Sequence, residues 1–352
     1  MANYLGFELY QGAYKIINYL ARVQPGETVT ITADTITEED LVNALAGAVV
    51  QAGGKPLVIW TATPSGVGKA SDADLPYEAM GAAIGKSDVW IEIGFMWLVY
   101  SSAYEIGFKM NPNLRHVQMA GLTVDQTDRL INKLDYDLQA QFQEKVITLT
   151  KAATHVKITN PAGTDLEFDN DPNCPFTSEL GIADTPGSHF LAGQMCWFPI
   201  HESLHGTIVF DGALNPPCGI LKAPVTLKVV GGDVVEITGG EDAAKFRKFL
   251  AEFNNPLMYR MAHVCYGFNA GAKIVGNGLE DERVWGSTEW GLGYLSPTSC
   301  PPDGIDAPSH TDGVCLNSSV YLDGVPLMIE GEVVHPDLVD LAKKLHKNIY
   351  RG

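Results

Sequence analysis

The stretch "ETVTITADTITEEDLVNALAGAVVQAGGKPLVIW" (residues 27–60) has the pattern of a strand, a helix and a second strand. Residues 27–34 are β-branched and alternating, which is typical of a β-strand. Residues 37–54 open with Thr37 as the expected N-cap, carry an apolar stripe and end in glycines, as helices do. Residues 56–60 are a short apolar run that suits a buried parallel strand. Two strands joined by a helix predict an open α/β sheet here.

The same alternation continues to about residue 150. Strand patterns recur at residues 88–94 and 115–121, and residues 123–134 and the segment after them have a helical pattern. We therefore predict an α/β N-terminal domain, residues 1–150, with a mostly parallel open sheet. No GxGxxG or GxxxxGK[ST] motif follows the first strand, so a nucleotide-binding version of this fold is unsupported.

Beyond residue 150 the pattern changes to antiparallel strands. Residues 155–169 have the pattern of strand, turn and strand, and residues 225–240 that of a hairpin turning at Gly231–Gly232. We predict that residues 151–352 form an α+β C-terminal domain with a largely antiparallel sheet.

The composition narrows the classes of partner. The chain has 352 residues, 45% of them hydrophobic, and a formal net charge of −18. A surface of that sign repels phosphate backbones and anionic lipid, so nucleic acid and membranes are not expected partners. The first 20 residues lack the basic and apolar regions of a signal peptide, and no apolar run reaches membrane-spanning length. We expect a cytoplasmic protein.

The expected location also predicts the redox state of the cysteines. None of the six forms a CxxC pair. In a reducing compartment free thiols are therefore expected for all of them. They are Cys174, Cys196, Cys218, Cys265, Cys300 and Cys315.

Candidate metal ligands lie in the C-terminal domain. His310 and Asp312 are two positions apart, and on a strand such residues point the same way. Alone, such a pair is more often incidental, and a histidine in an apolar strand such as His263 is more often a core residue. Together the three make two imidazoles and a carboxylate. That set leaves about three open positions on a six-coordinate ion, the arrangement used by non-haem iron(II) enzymes.

With those residues the sequence becomes recognisable. "YRMAHVCYGFN" (259–269) followed by "PSHTDGVCLNSSVYLDG" (308–324) resembles the 2,5-dihydroxypyridine 5,6-dioxygenase family, within the aminopeptidase T-like superfamily. "TSELGIADTPGSHFLAG" (177–193) and "HGTIVFDG" (205–212) extend the resemblance. It implies an iron(II) enzyme that opens the ring of a small hydroxypyridine-type substrate with dioxygen. It also implies His263, His310 and Asp312 as iron ligands, and favours a homo-oligomer.

The resemblance also suggests pocket residues. Tyr100 falls where the family has a histidine acting as base, and a tyrosine with its usual pKa of about 10 is a poor base near neutrality. Glu179 and His189 match polar pocket positions, although they can equally satisfy backbone groups of their loop. His205 is a candidate to line the pocket, with a surface position as the alternative. With His201 it does not make an H-E-x-x-H metal motif, because the segment lacks helical character.

Other functions stay open at this point. The open coordination face and Tyr100 also suit a hydrolase that opens a cyclic diketone or lactam with manganese or zinc. The aminopeptidase branch needs a histidine where this chain has Glu289, but one of its glutamates matches Glu282, which leaves a second metal as an alternative. A non-catalytic small-molecule binding protein is the third hypothesis.

Overall fold

The computed structural model describes residues 6–171, 173–297, 300 and 303–349. Its helices are α1 (Gly6–Lys15), α2 (Glu39–Gln51), α3 (Tyr77–Gly85), α4 (Ser102–Met110), α5 (Val124–Gln126), α6 (Tyr136–Ala152), α7 (Glu241–Glu252), α8 (Gly278–Asp281) and α9 (Val339–Ile349). Short 3₁₀ or π turns lie at Ile16–Leu20, Gly68–Ala73, Thr127–Asn132, His201–Ser203 and Pro256–Tyr259.

The strands are β1 (Thr28–Asp34), β2 (Lys55–Thr61), β3 (Val89–Glu92), β4 (Arg115–Gln118), β5 (His155–Thr159), β6 (Asp165–Asp169), β7 (Thr177–Ser178), β8 (Gly187–Phe190), β9 (Gln194–Trp197), β10 (His205–Phe210), β11 (Ala213–Asn215), β12 (Gly219–Ile220), β13 (Val225–Val230), β14 (Asp233–Gly239), β15 (Met261–Gly267), β16 (Ser287–Leu295), β17 (Ile305–Cys315), β18 (Ser319–Leu322), β19 (Val325–Ile329) and β20 (Glu332–Val333). None of the helices in the described ranges is both long and apolar enough to cross a bilayer.

The chain forms two compact units. Among the described residues, the first unit comprises residues 6–134 and 179–192, and the second the remainder. The sheet of the first unit has the order β2-β1-β3-β4-β8, and each pairing in it is parallel. This confirms the α/β class of the N-terminal region.

The unit boundaries differ from a single division at residue 150. Helix α6 belongs to the second unit, where the ring of Phe142 packs 5.1 Å from that of Phe268 and the Gln139 side-chain amide donates to the Phe268 carbonyl. Strand β8, in contrast, returns to the first sheet. Periodicity along a sequence shows that a helix forms, but not which core it packs against.

Helix α2 shows how the first unit is built. Leu41, Leu45 and Val49 are buried at four-residue spacing, so one helical face packs into the core. The expected cap at Thr37 is wrong: the cap position is Glu38, and its side chain makes no cap hydrogen bond. The Thr37 hydroxyl instead donates to the carboxylate at the end of β1, 3.1 Å away.

The second unit is built from antiparallel sheets. Among its described residues, a sheet of order β14-β13-β10-β6-β5-β18-β19-β20 accompanies a sheet of order β12-β11-β17-β16-β15-β9-β7. The predicted β5–β6 and β13–β14 hairpins are both present. Gly231 and Gly232 have φ of 59° and 79°, the left-handed values that a two-residue hairpin turn requires. The α+β prediction for the C-terminal region is confirmed.

The expectation of six free thiols is wrong for two of them. Cys196 and Cys265 are directly opposite each other on β9 and β15 and form a disulfide. The two lie 69 residues apart, so their spacing along the chain does not reveal the contact. Cys174, Cys218, Cys300 and Cys315 are free.

Candidate metal centre

The three predicted ligands come together on two strands of one sheet. His263 lies on β15, while His310 and Asp312 lie on β17, and their ligand atoms are all within 4.8 Å of one another. Asp312 Oδ1 is 2.8 Å from His310 Nε2 and 3.5 Å from His263 Nε2. Ligands at right angles on an ion with bonds of about 2.1 Å lie about 3 Å apart, so this spacing suits one shared ion.

A backbone contact orients the His310 ring. Its Nδ1 donates to the Tyr294 carbonyl oxygen at 2.7 Å, which directs Nε2 toward Asp312. Metal-binding histidines characteristically use one nitrogen in this way and bind the ion with the other. Nε2, which is 2.8 Å from Asp312 Oδ1, is therefore the nitrogen that can bind a cation.

Strand β16, between β15 and β17, makes room for the ligands. Gly291 and Gly293 stand directly opposite Asp312 and His310 in the register. A Cβ at position 291 would lie 2.4 Å from Cε1 of His263, a distance that real Cβ atoms do not show. His263 itself sits where the β15–β16 register shifts, and such bulges commonly re-aim a side chain. Glycine at 291 thus provides the space for this imidazole.

Two more carboxylates border the site. Glu289 is fully buried on β16, and each of its carboxylate oxygens is 3.1 Å from His263 Nε2. The Gln194 side-chain amide donates to Glu282 at 3.0 Å and to Glu289 at 3.4 Å. Glu282 was expected only through the aminopeptidase branch, which has a histidine in place of Glu289, and Gln194 was not expected. The alternation "EWGLG", with Glu289 and two glycines on one face, is the signal that could have indicated this arrangement.

The carboxylates of the site change one another's pKa values. Burial, together with the charge of Asp312, raises the pKa of Glu289 well above its ordinary value and that of Glu282 to about 8. Burial acts in the same direction on Asp312, but the neighbouring His310 outweighs it and the pKa of Asp312 is lowered. Burial would lower the pKa of His310, yet the Asp312 charge and hydrogen bond raise it. A buried set with more carboxylates than cations favours binding of a positive ion.

This donor set fits a divalent metal ion. It offers two imidazole nitrogens and carboxylate oxygens, the ligands of iron(II), manganese and zinc. His263, His310 and Asp312 would hold the ion, with Glu289 beside His263.

Comparison with known proteins identifies the family. The model of the NicX family, 2,5-dihydroxypyridine 5,6-dioxygenase, matches residues 13–335. The chain belongs to the 2,5-dihydroxypyridine 5,6-dioxygenase family. The family that the sequence resembles is thereby confirmed.

Individual relatives agree with this family. The 2,5-dihydroxypyridine 5,6-dioxygenase of Pseudomonas putida is 27% identical over 203 residues, which is 54% of this chain and 57% of the relative. The alignment thus spans little more than half of the relative's length. The solved structure of the Pseudomonas putida dioxygenase has a TM-score of 0.74 at 20% identity, covering 95% of this chain and 99% of that one. AmpT from Thermus thermophilus has a TM-score of 0.71 at 16% identity, covering 94% and 99%. These two structures confirm the fold.

The pocket residues suggested by the dioxygenase family lie in the first unit, except His205. Tyr100 follows β3, is 51% exposed and has φ of 69°. Glu179 accepts a hydrogen bond from the Phe190 backbone N–H at 3.1 Å, and His189 Nε2 donates to the Thr185 carbonyl at 2.8 Å. Both contacts are with backbone groups of the same segment, the alternative noted from the sequence. Their part in a substrate pocket stays a prediction.

His205 lies on β10, in the sheet that does not carry the three ligands. Its exposed ring donates from Nε2 to the Glu202 carbonyl at 3.0 Å and accepts at Nδ1 from the Gly231 N–H at 3.2 Å. These contacts anchor the turn between β13 and β14. A pocket role for His205 also stays a prediction.

Proposed function

We propose that this chain is an iron(II)-dependent dioxygenase that opens the ring of a small hydroxypyridine-type compound. The observation that carries the proposal is the convergence of His263, His310 and Asp312, whose ligand atoms lie within 4.8 Å of one another in a chain of this family. Two neutral ligands and one carboxylate leave part of the coordination sphere for substrate and dioxygen.

Residues of this chain would have distinct roles in the proposed reaction. Bound iron(II) would supply the electron transfer that lets dioxygen react with an electron-rich ring. Asp312 balances part of the ion's charge, and the Tyr294 carbonyl holds the His310 ring in place. In our proposal, which rests here on the family's pattern, Tyr100 takes the substrate hydroxyl proton, while Glu179 and His189 orient the ring by hydrogen bonds.

Glu289 supports a second candidate function. A second carboxylate next to His263 suits manganese or zinc. These ions activate water for hydrolysis and do not need dioxygen. In that case the same site would hydrolyse a cyclic diketone or lactam, and Tyr100 would not need to act as a strong base. A metallo-aminopeptidase is the weaker form of this idea.

One experiment separates the two functions. The protein is purified without oxygen, its metal is identified, and 2,5-dihydroxypyridine and a cyclic diketone are each supplied with and without dioxygen. We expect oxygen uptake in proportion to substrate loss, and no turnover under argon. Turnover under argon would overturn the dioxygenase proposal and favour the hydrolase.

A pair of histidine variants tests the ligand assignment. His310→Ala is expected to lose the bound metal, measured as metal per chain after dialysis. His155→Ala is the control, since His155 pairs with Asp169 on the other sheet of the second unit. Equal metal content in the two variants would show that His310 is not a ligand.

We also propose that the protein is a homo-oligomer in the cytoplasm. The family and the acidic chain support this proposal. Light scattering on the purified protein measures the subunit number, and a mass equal to one chain of 38.0 kDa would refute the oligomer.

A further inference from the structure

A second group of potential ligands shares His263 with the proposed iron site. Cys196, Cys265, His263 and Glu289 each offer a ligand atom, and these atoms all lie within 4.8 Å of one another. The group follows from the strand register. Cys196 is opposite Cys265 on β9 and β15, and Cys265 is opposite Glu289 on β15 and β16. Directly opposed residues share a sheet face, so the three side chains form one row across three strands.

The state of the sulfurs decides whether this row can bind a metal. In the disulfide, the two sulfurs are bonded to each other and are not thiolates, which are the form that binds metals. A dithiol reductant can open the bond by exchange. The reductant is oxidised to its own disulfide, two electrons pass to the Cys196–Cys265 bond, and two thiols result. Each thiol then releases its proton to solvent when it binds an ion.

We propose that reduction of the Cys196–Cys265 disulfide creates a zinc site made of the two thiolates, His263 and Glu289. Zinc prefers four tetrahedral ligands and binds sulfur at about 2.3 Å and nitrogen at about 2.0–2.1 Å. Ligand atoms around such an ion lie roughly 3.3–3.8 Å apart, and the four ligand atoms of the row already lie within 4.8 Å of one another. Cys265 and Glu289 are fully buried, so little water competes for the ion.

The two sites compete for His263, because its imidazole belongs to both groups of potential ligands. His263 Nε2 is 3.1 Å from the Glu289 oxygens of the sulfur-containing site and 3.5 Å from Asp312 of the proposed iron site. One nitrogen binds one ion, so zinc on the sulfur side removes His263 from the iron ligands. Reduction of one disulfide would thus change which metal the protein holds. The competition with iron for His263 rests on the proposed function, whereas the zinc site itself does not.

Cobalt(II) is the probe for this site, because thiolate ligands give it a near-ultraviolet charge-transfer absorption. The full chain is prepared oxidised, or reduced with dithiothreitol that is then removed without oxygen, and cobalt is titrated into each. We expect the thiolate absorption only in the reduced protein. Its absence there would overturn the proposal.

Three variants assign the absorption to its ligands. Reduced Cys265→Ser is expected to lose at least half of it, because one of the two thiolates is removed, whereas Cys174→Ser, which alters another buried cysteine, keeps it. Equal absorption in these two would overturn the proposal. Cys196→Ser repeats the test at the other sulfur, in case Cys265→Ser fails to fold, and must also lose at least half of the absorption.

His310→Ala separates the zinc site from the proposed function. His310 belongs to the iron ligands but not to the sulfur-containing group. The reduced variant should therefore keep the thiolate absorption although it has lost the proposed iron site. Loss of the absorption in this variant would contradict the ligand set that we propose.

Discussion

Gly291 is the residue on which the position of the His263 imidazole depends, because a methyl group at this position would overlap the ring. We expect Gly291→Ala to weaken metal binding roughly 10- to 100-fold, the usual effect of disturbing the residues that orient a ligand. Gly240→Ala is the matched control, since a Cβ at 240 meets Ala223 at an ordinary 3.7 Å. Metal titration of the two variants measures the difference. Equal affinities would show that the ring has room to move aside.

Asp281 is a buried carboxylate whose protonation affects stability. Burial raises its pKa to about 6, although backbone N–H groups of Val275 and Gly276 oppose the shift. Because the pKa is higher in the folded state, the resulting stabilisation is complete below about pH 4 and is lost as pH rises through about 6. Over the whole titration the shift corresponds to about 3 kcal/mol, of which about 2 kcal/mol falls between pH 4 and pH 7.

Asp281→Asn tests this linkage, since asparagine does not ionise and keeps an oxygen for the two N–H groups. Relative to wild type, the variant should gain about 2 kcal/mol of unfolding free energy between pH 4 and pH 7. Urea unfolding at both pH values measures the change. Glu236→Gln, at an exposed position on β14, is the control and should show no such gain. The same pH dependence in wild type and Asp281→Asn would refute the prediction.

At the scale of elements, the connection from β3 to α4 contains a strained residue. Tyr100 has φ of 69°, a left-handed value that costs a non-glycine residue about 1–2 kcal/mol. It precedes Ser101, whose hydroxyl caps α4 by accepting from the Tyr104 N–H. A strained tyrosine therefore lies directly before the residue that caps α4.

Two truncations at Tyr100 isolate the backbone strain. Both Tyr100→Gly and Tyr100→Ala remove the ring, which lies 6.1 Å from that of Tyr104, but only glycine accepts the φ value. The glycine variant should be more stable than the alanine variant by about 1 kcal/mol, as measured by denaturant unfolding. If alanine were the more stable, the turn would be free to relax and would not be strained.

Most elements could be predicted from the sequence, because their patterns are local. The strands and helices of residues 27–60, the hairpin at Gly231–Gly232 and the strand that carries His310 all follow from side-chain periodicity. The pairing of Cys196 with Cys265 could not be predicted, because it depends on strands that are distant in sequence. The same holds for Gln194 and its contact with Glu289. Local patterns predict elements, whereas contacts between strands require their order in the sheet.

At the scale of the whole molecule, the net charge of −18 opposes compaction. Added salt screens this repulsion, and below about 0.2 M screening is the main effect on surface charges. We expect the unfolding temperature to rise by about 2–4 °C when sodium chloride is increased from near zero to that level. Differential scanning calorimetry at the two sodium chloride concentrations checks this. A constant or falling unfolding temperature would mean that nearby basic groups already neutralise the acidic groups.

The last strand of the parallel sheet gives the chain an unusual order of assembly. A ribosome makes β1 to β4 and then α6 and β5 to β7 before β8 exists. Until Gly187–Phe190 emerge, the edge of β4 has unpaired N–H and C=O groups, the kind of surface on which chains aggregate. The edge of β4 is therefore unpaired while residues 119–190 are synthesised, and slow codons in this interval should lower the yield.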